Sequence, residues 1–236
     1  MASPVRDRPP LIVNTEKGLH CPAGGFYIDP WSPADVALIT HAHSDHARSG
    51  SKLYIVAGRG LGVFRTRLGK SVNVHGVLYG ERIKHNGVTV SFHPAGHVLG
   101  SAQIRVERDG EVWVVTGDYK RQHDVTCEAF ELVPCHTLIT ECTFFDPTHK
   151  AKAKAGRHLH VDQLAQVLSS GKLKNQHIIL THVSRRMGVR RSRSILRRMV
   201  GDTLMENVQF LMDFEGSRDD GDMEESGPVS SDATAT

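Results

Sequence analysis

The sequence predicts an α/β (α+β) chain folded as four layers in αββα order, with two stacked β-sheets between two helical layers. Three observations predict it. Eleven short segments carry β-patterned apolar runs, whereas only four carry helical signals. One of the helices, over about 160–169, sets Val161, Leu164, Ala165 and Leu168 at i, i+3, i+4 and i+7, an apolar stripe suited to covering a sheet. Several strand patterns also run out into His or Asp, as strands do when they deliver side chains to a common rim.

In chain order, strands are expected near 11–13, 26–29, 36–40 and 53–57, then near 74–79, 88–93, 101–107 and 111–116, and finally near 136–141, 177–181 and 208–212. Asn86-Gly87 and Asp109-Gly110 lie between strand patterns and read as tight hairpin turns. Helices are expected just after His46, across Leu61–Leu68, over about 160–169, and as a basic helix over about 190–200.

The densest chemistry lies in His41-Ala42-His43-Ser44-Asp45-His46, directly after the apolar run Val36–Thr40. A strand that stops at a rim, followed by His-x-His, points two imidazoles the same way and turns Asp45 and His46 toward a neighbouring position. A chance cluster is the alternative in a chain with 15 His. Three further strand patterns end in His97, Asp118 and His182. Singly, each reads as a satisfied histidine or a turn-capping aspartate. Together they complete a dinuclear site: His41, His43 and His97 on one metal, Asp45, His46 and His182 on the other, and Asp118 bridging. Imidazole and carboxylate without thiolate suit two Zn ions, with Mn or Fe as alternatives.

These motifs resemble the metallo-β-lactamase superfamily over residues 11 to about 200. Residues 11–148 resemble the DNA ligase-associated exonucleases, relatives of the RNA 3′-end processing nucleases, through the phrases 18–31, 39–48, 92–102 and 117–120. Residues 157–164 and 180–186 are similar to short-form ribonuclease Z. The first resemblance implies a large inserted clamp domain, yet only 16 residues, Thr143–His158, are available for it. No candidate for the ribonuclease Z arm is evident either. The expected domains are therefore a hydrolase domain over 1–214 without a clamp and an acidic disordered tail over 215–236. A homodimer is one way to replace the clamp.

Charge is uneven. The net charge is +3, but residues 218–236 set one arginine against six acids, a net of −5, leaving +8 on residues 1–217. Between Lys150 and Arg198, thirteen Lys or Arg face a single acid, Asp162, and Arg dominates after His182. Such a run suits a polyanion, with Arg185, Arg186, Arg190 and Arg191 as candidate substrate contacts; a solvated helix face is the plainer reading. The start of the chain has no apolar leader pattern and no stretch approaches spanning length, so a cytoplasmic protein away from membranes is expected. Cys21, Cys127, Cys135 and Cys142 show no metal or disulfide spacing and read as small core residues.

The resemblance implies a zinc-dependent nuclease acting on RNA or DNA phosphodiesters through a hydroxide activated by two metals. Asp45 would orient that hydroxide and take its proton. His158 would protonate the leaving oxygen, with Glu141 holding its imidazole, and His160 competes for the same role. The alternatives are a hydrolase of a small ester, thioester, lactone or cyclic nucleotide, and a non-catalytic nucleic-acid-binding module.

Overall fold

Alternation along single strands builds the layers of the computed structural model, which describes residues 9–170, 177–183 and 187–211. In β4 (Val36–Ile39), Ala37 and Ile39 join Tyr54, Val56 and Phe64 on one side, while Leu38 points the other way toward Phe26 and Phe92. In β11 (Thr137–Glu141), Ile139 faces that same interior and Leu138 faces outward. β12 (His177–Thr181) repeats this, with Ile179 inward and Ile178 and Leu180 outward. Strands with apolar residues on both faces must be covered twice, which forces sheet against sheet inside and helix against sheet outside.

The first sheet joins β1 (Val13–Thr15), β2 (Gly18–Cys21), β3 (Phe26–Ile28), β4, β5 (Leu53–Ala57) and β6 (Val74–Val77) in sequence order. The second joins β7 (Arg82–His85), β8 (Val88–Pro94), β9 (Ala102–Arg108), β10 (Glu111–Val115), β11, β12 and β13 (Val208–Phe210), also in order. Each sheet begins with antiparallel pairs and ends with parallel ones, β3 to β6 and β10 to β13. Phe64 of α1 (Leu61–Leu68) packs on the outer face of the first sheet. α3 (Val161–Ser169) and α4 (Val189–Val200) cover the second with Leu164, Leu168 and Leu196. Each such side chain, fully buried, contributes about 1.5–3 kcal/mol of transfer free energy.

Both expected hairpins form: Asn86 and Gly87 have φ of 48° and 79°, Asp109 and Gly110 of 50° and 81°, the left-handed pair that a two-residue type I′ turn requires. The helix expected after His46 does not. That segment makes one turn, with the Ala47 amide on the His43 carbonyl at 2.8 Å, and then opens, because the Arg48 carbonyl is taken by the Tyr54 hydroxyl and Gly50 adopts φ 103°. The strand expected at 11–13 lies at 13–15. Four elements were not expected: β2, β7, α2 (Lys150–Gly156) and α5 (Asp202–Met205). β7 is an edge strand with exposed Arg82 and Lys84 around a single inward Ile83, and α2 buries only Ala153, so neither carries a full apolar pattern. Cys21, Cys135 and Cys142 are buried and Cys127 is half-buried; none of the four is in a disulfide. The tail expected over 215–236 lies outside the described residues. Among the described residues, no helix is long and apolar enough to cross a membrane.

Candidate metal and catalytic centre

Strands of both sheets end at one rim and there release the side chains singled out in the sequence. β4 leads into His41–His46, β8 toward His97, β10 to Asp118, and β12 to His182; β11 itself ends on Glu141. Gly117 makes the approach of Asp118 feasible: it adopts φ 56°, and a Cβ there would lie 2.6 Å from the Thr40 side chain. His182, a non-glycine residue, is held at φ 53°, a conformation that costs about 1–2 kcal/mol and is retained where it aims a side chain.

One carboxylate organises the result. Asp118, buried, has Oδ2 at 3.6 Å from His41 Nε2, 3.4 Å from His46 Nε2, 3.8 Å from His97 Nε2 and 3.7 Å from His158 Nδ1. Its Oδ1 lies 3.7 Å from His182 Nδ1. His41, His43, His97 and Asp118 form one set of converging ligand atoms, and Asp45, His46 and His182 form a second. These are the two groups set out from the sequence, with Asp118 between them. A third set, Asp118, Glu141, His158 and His182, adjoins them.

The partners behind the histidines were not legible in the sequence, and they fix which nitrogen faces inward. His46 Nδ1 donates to Asp29 Oδ2 at 2.7 Å. The Thr40 hydroxyl donates to the same oxygen at 2.6 Å, so its own oxygen accepts from His41 Nδ1 at 3.1 Å. His97 Nδ1 donates to the Arg157 carbonyl at 2.8 Å. The Thr143 hydroxyl donates to Glu141 Oε2 at 2.5 Å and accepts from His182 Nδ1 at 2.8 Å. Four imidazoles thus use Nδ1 as donor and point Nε2 into the cluster. In the sequence Asp29 stood only as the last residue of the strand expected over 26–29 and within the phrase 18–31; in the structure it lies one residue past β3.

Whether these residues fit a metal is answered by what they leave unpaired. His41 Nε2, His46 Nε2 and Asp118 Oδ1 are buried without a hydrogen-bond partner. An orphan of that kind costs about 1–3 kcal/mol, and three around one point imply an absent partner with positive charge. The donors are nitrogen and oxygen throughout, the set that borderline divalent ions prefer. The residues therefore fit divalent metal.

The electrostatics divide the imidazoles between the two ligand sets, lowering His41, His43 and His97 and raising His46 and His182. Burial drives the His41 pKa well below its ordinary value, favouring the neutral form that ligation needs. Burial also opposes charge on His46, but the Asp29 and Asp118 carboxylates outweigh it and hold its pKa well above normal. Asp118 is penalised by burial, yet the surrounding imidazoles hold it ionised, far below the usual carboxylate range. Asp45 is held ionised chiefly by its hydrogen bond with His182.

Glu141, fully buried, is committed on both oxygens: Oε1 accepts the Tyr119 amide at 3.0 Å and faces His158 Nδ1 at 3.3 Å, and Oε2 takes the Thr143 hydroxyl. That leaves it a holder of His158 rather than a ligand. Burial lowers the His158 pKa, but the hydrogen bond and charge of Glu141 together with the Asp118 carboxylate outweigh it, and the net shift is upward. His160, the competing acid, is excluded by its contacts: Nδ1 caps α3 by accepting the Asp162 amide at 3.2 Å, and Nε2 donates to the Asp146 carbonyl at 3.0 Å. Arg190 and Arg191 are exposed in the first turn of α4; Arg185 and Arg186 lie outside the described residues.

Two stacked sheets between helices, with a histidine cluster at their strand ends, define a metallo-β-lactamase fold. Solved structures agree: the metallo-beta-lactamase fold protein YhfI from Bacillus subtilis superposes with a TM-score of 0.57 at 15% identity, covering 81% of this chain and 86% of that one. Igni18, described as a metallo hydrolase from Ignicoccus hospitalis, superposes at 0.50 and 16% identity, covering 75% of each. No family model matches the chain.

By sequence, the chain is 31% identical over 141 residues to a "Probable DNA ligase" of Opitutus terrae, covering 58% of this chain and 14% of that protein. It is 30% identical over 131 residues to Endoribonuclease YSH1 of Eremothecium gossypii, covering 55% and 16%. It is 36% identical over 78 residues to cleavage and polyadenylation specificity factor subunit 3 of Dictyostelium discoideum, covering 32% and 10%. The chain thus spans less than a fifth of the length of these relatives.

Proposed function

We propose that the chain is a divalent-metal-dependent nuclease that hydrolyses phosphodiester bonds of RNA or DNA. The observation that carries this is the single buried carboxylate of Asp118 with five imidazole nitrogens 3.4–3.8 Å from it, one of them on the glutamate-held His158. Two zinc ions fit the two ligand sets, and Mn or Fe would be accepted by the same donors. Resident ions would supply water acidified toward neutral pH and positive charge against the phosphoryl oxygens.

The chain's own residues supply the remainder. Asp45, ionised and half-exposed, orients the attacking water and accepts its proton. His158, kept charged by Glu141, gives a proton to the leaving oxygen, which departs as an alcohol. Similarity to endoribonucleases and to a DNA ligase supports a nucleic acid substrate.

Elemental analysis of purified protein, beside cleavage of end-labelled single-stranded RNA and DNA by the parent, Asp118→Ala and His158→Ala, tests the proposal. Two metals per chain and cleavage lost in both variants are expected, with the preferred polymer naming the substrate. Absence of bound metal would overturn the centre. Two metals with neither polymer cut would turn the reading to a small ester, thioester, lactone or cyclic nucleotide.

A further inference from the structure

The side of the centre that carries His158 continues into a set of residues that the chemistry does not use. Phe144, half-buried, lies with its ring centroid 6.2 Å from that of His158. It is held in place by the backbone, its amide on the Leu159 carbonyl at 3.2 Å and its carbonyl taken by the Val161 amide at 2.8 Å. His149 meets the same ring edge-on at 6.0 Å. His149 then opens α2, whose sequence is Lys-Ala-Lys-Ala-Lys-Ala-Gly. Only Ala153 of this helix is buried, so Lys152 and Lys154 stand exposed on its two flanks. Lys150 is paired with Asp162, whereas Lys152 and Lys154 meet no carboxylate among the described residues.

α4 is a second basic element. Along α4, Arg190, Arg191, Arg197 and Arg198 are exposed while Ser192 and Leu196 are buried. Arg193 of this helix lies over the Phe210 ring at 5.2 Å, and Phe210 packs on Phe145 at 6.2 Å. The residue after Phe145 is Asp146, which caps the turn that leads into α2. Arg191 is close enough to Asp146 to lower its pKa, after the larger effect of the Thr148 hydrogen bonds.

Aromatic faces interleaved with exposed cations are the arrangement that holds a single strand: bases stack on the rings while the backbone follows the charge. Position assigns the direction. The track starts at His158, the group placed at the leaving oxygen, and passes through Phe144 to His149 and α2. We infer that Phe144, His149, Lys152, Lys154 and Arg191 hold the single-stranded segment on the leaving-group side of the scissile phosphodiester. This rests on the nuclease reading given above, and it supplies a grip within one chain where a clamp or a second subunit was otherwise needed.

The test is equilibrium binding of the metal-loaded full chain to a labelled single strand of about twelve phosphorothioate-linked nucleotides, over a salt series, and to the matching duplex. Lys152→Glu with Lys154→Glu is compared with Arg65→Glu with Arg67→Glu on α1, an equal change of charge on exposed residues of the other sheet's helix. The α2 double variant is expected to bind about tenfold more weakly at moderate salt. Its log–log salt slope should fall by about 1.4, from about 0.7 per phosphate contact on a single strand. The α1 double variant should stay within about twofold of the parent. Phe144→Leu, which keeps an apolar side chain but removes the stacking face, should weaken single-strand binding about tenfold.

Equal losses in the two double variants would mean that only net charge matters and would overturn the track. So would an unchanged α2 variant, or a parent that binds duplex as well as single strand. Hydrolysis of bis(p-nitrophenyl) phosphate by the parent, a diester with no strand to grip, judges the phosphodiesterase reading separately. Failure there with an intact binding difference would sink the chemistry and leave the strand track standing.

Discussion

Replacing His158 or its holder Glu141 should separate two substrates whose leaving groups differ in how badly they need a proton. At the 3.3 Å between Glu141 Oε1 and His158 Nδ1, the gross attraction is about 5 kcal/mol at an effective dielectric of about 20. Against it stands the burial of both groups. The net result is a raised His158 pKa, so the imidazolium is fully present below the ordinary histidine value and is lost as pH rises through the folded value. Glu141→Gln removes the attraction and leaves burial, so the alkaline limb of the pH–rate profile should move to lower pH.

His158→Ala removes the proton donor altogether and should lower the cleavage rate of an oligonucleotide about 10²- to 10⁴-fold, or about 3–5 kcal/mol of barrier. Bis(p-nitrophenyl) phosphate expels a stabilised phenolate that leaves without a proton, and its rate should change by less than about tenfold. Rates on both substrates between pH 5.5 and 9 decide the matter. An equal loss on both, or a Gln variant whose alkaline limb stays in place, would show that the pair acts on the metal ligands and not on the leaving oxygen.

Asp118→Asn keeps the shape but removes the charge shared by both ligand sets, and should reduce bound metal to less than one ion per chain by elemental analysis. Metal uptake by chelator-stripped protein should release protons at pH 7 and tighten as pH rises, because His46 and His182 are held above their ordinary pKa and must lose a proton to bind; calorimetry in two buffers of different ionisation heat reads this. Gly117→Ala should cost about 1–3 kcal/mol in chemical denaturation and weaken metal binding, since it combines φ 56° with a Cβ 2.6 Å from Thr40.

What the sequence disclosed was whatever is local. His41 to His46 stand on six consecutive positions, and His97, Asp118 and His182 each follow an apolar run, so strand ends could be matched to ligands without knowing the pairing. Asn86-Gly87 and Asp109-Gly110 announced their turns because only φ above zero closes them. The layer behind the ligands stayed hidden. Asp29 reaches His46 across parallel strands, and the Arg157 carbonyl meets His97 from 60 residues away, contacts that no spacing rule encodes. The helix expected after His46 failed for a similar reason: the Tyr54 hydroxyl captured a carbonyl the helix would have used. α2 has strong helix formers but no apolar stripe, and periodicity passes over such a segment.

The division of the ligands between the sheets ties catalysis to the integrity of the whole molecule. His41, His43, Asp45 and His46 come from the end of the first sheet, and His97, Asp118 and His182 from the second, so neither half of the chain owns a coordination sphere. A divalent ion held by both sets would act as a rivet through the sandwich, worth about 4 kcal/mol against unfolding at about a thousand times its dissociation constant. Loss of the ion and separation of the layers would then become one event, and under the proposed nuclease function a chain caught half-assembled would be unable to cut a strand that its basic helices touch.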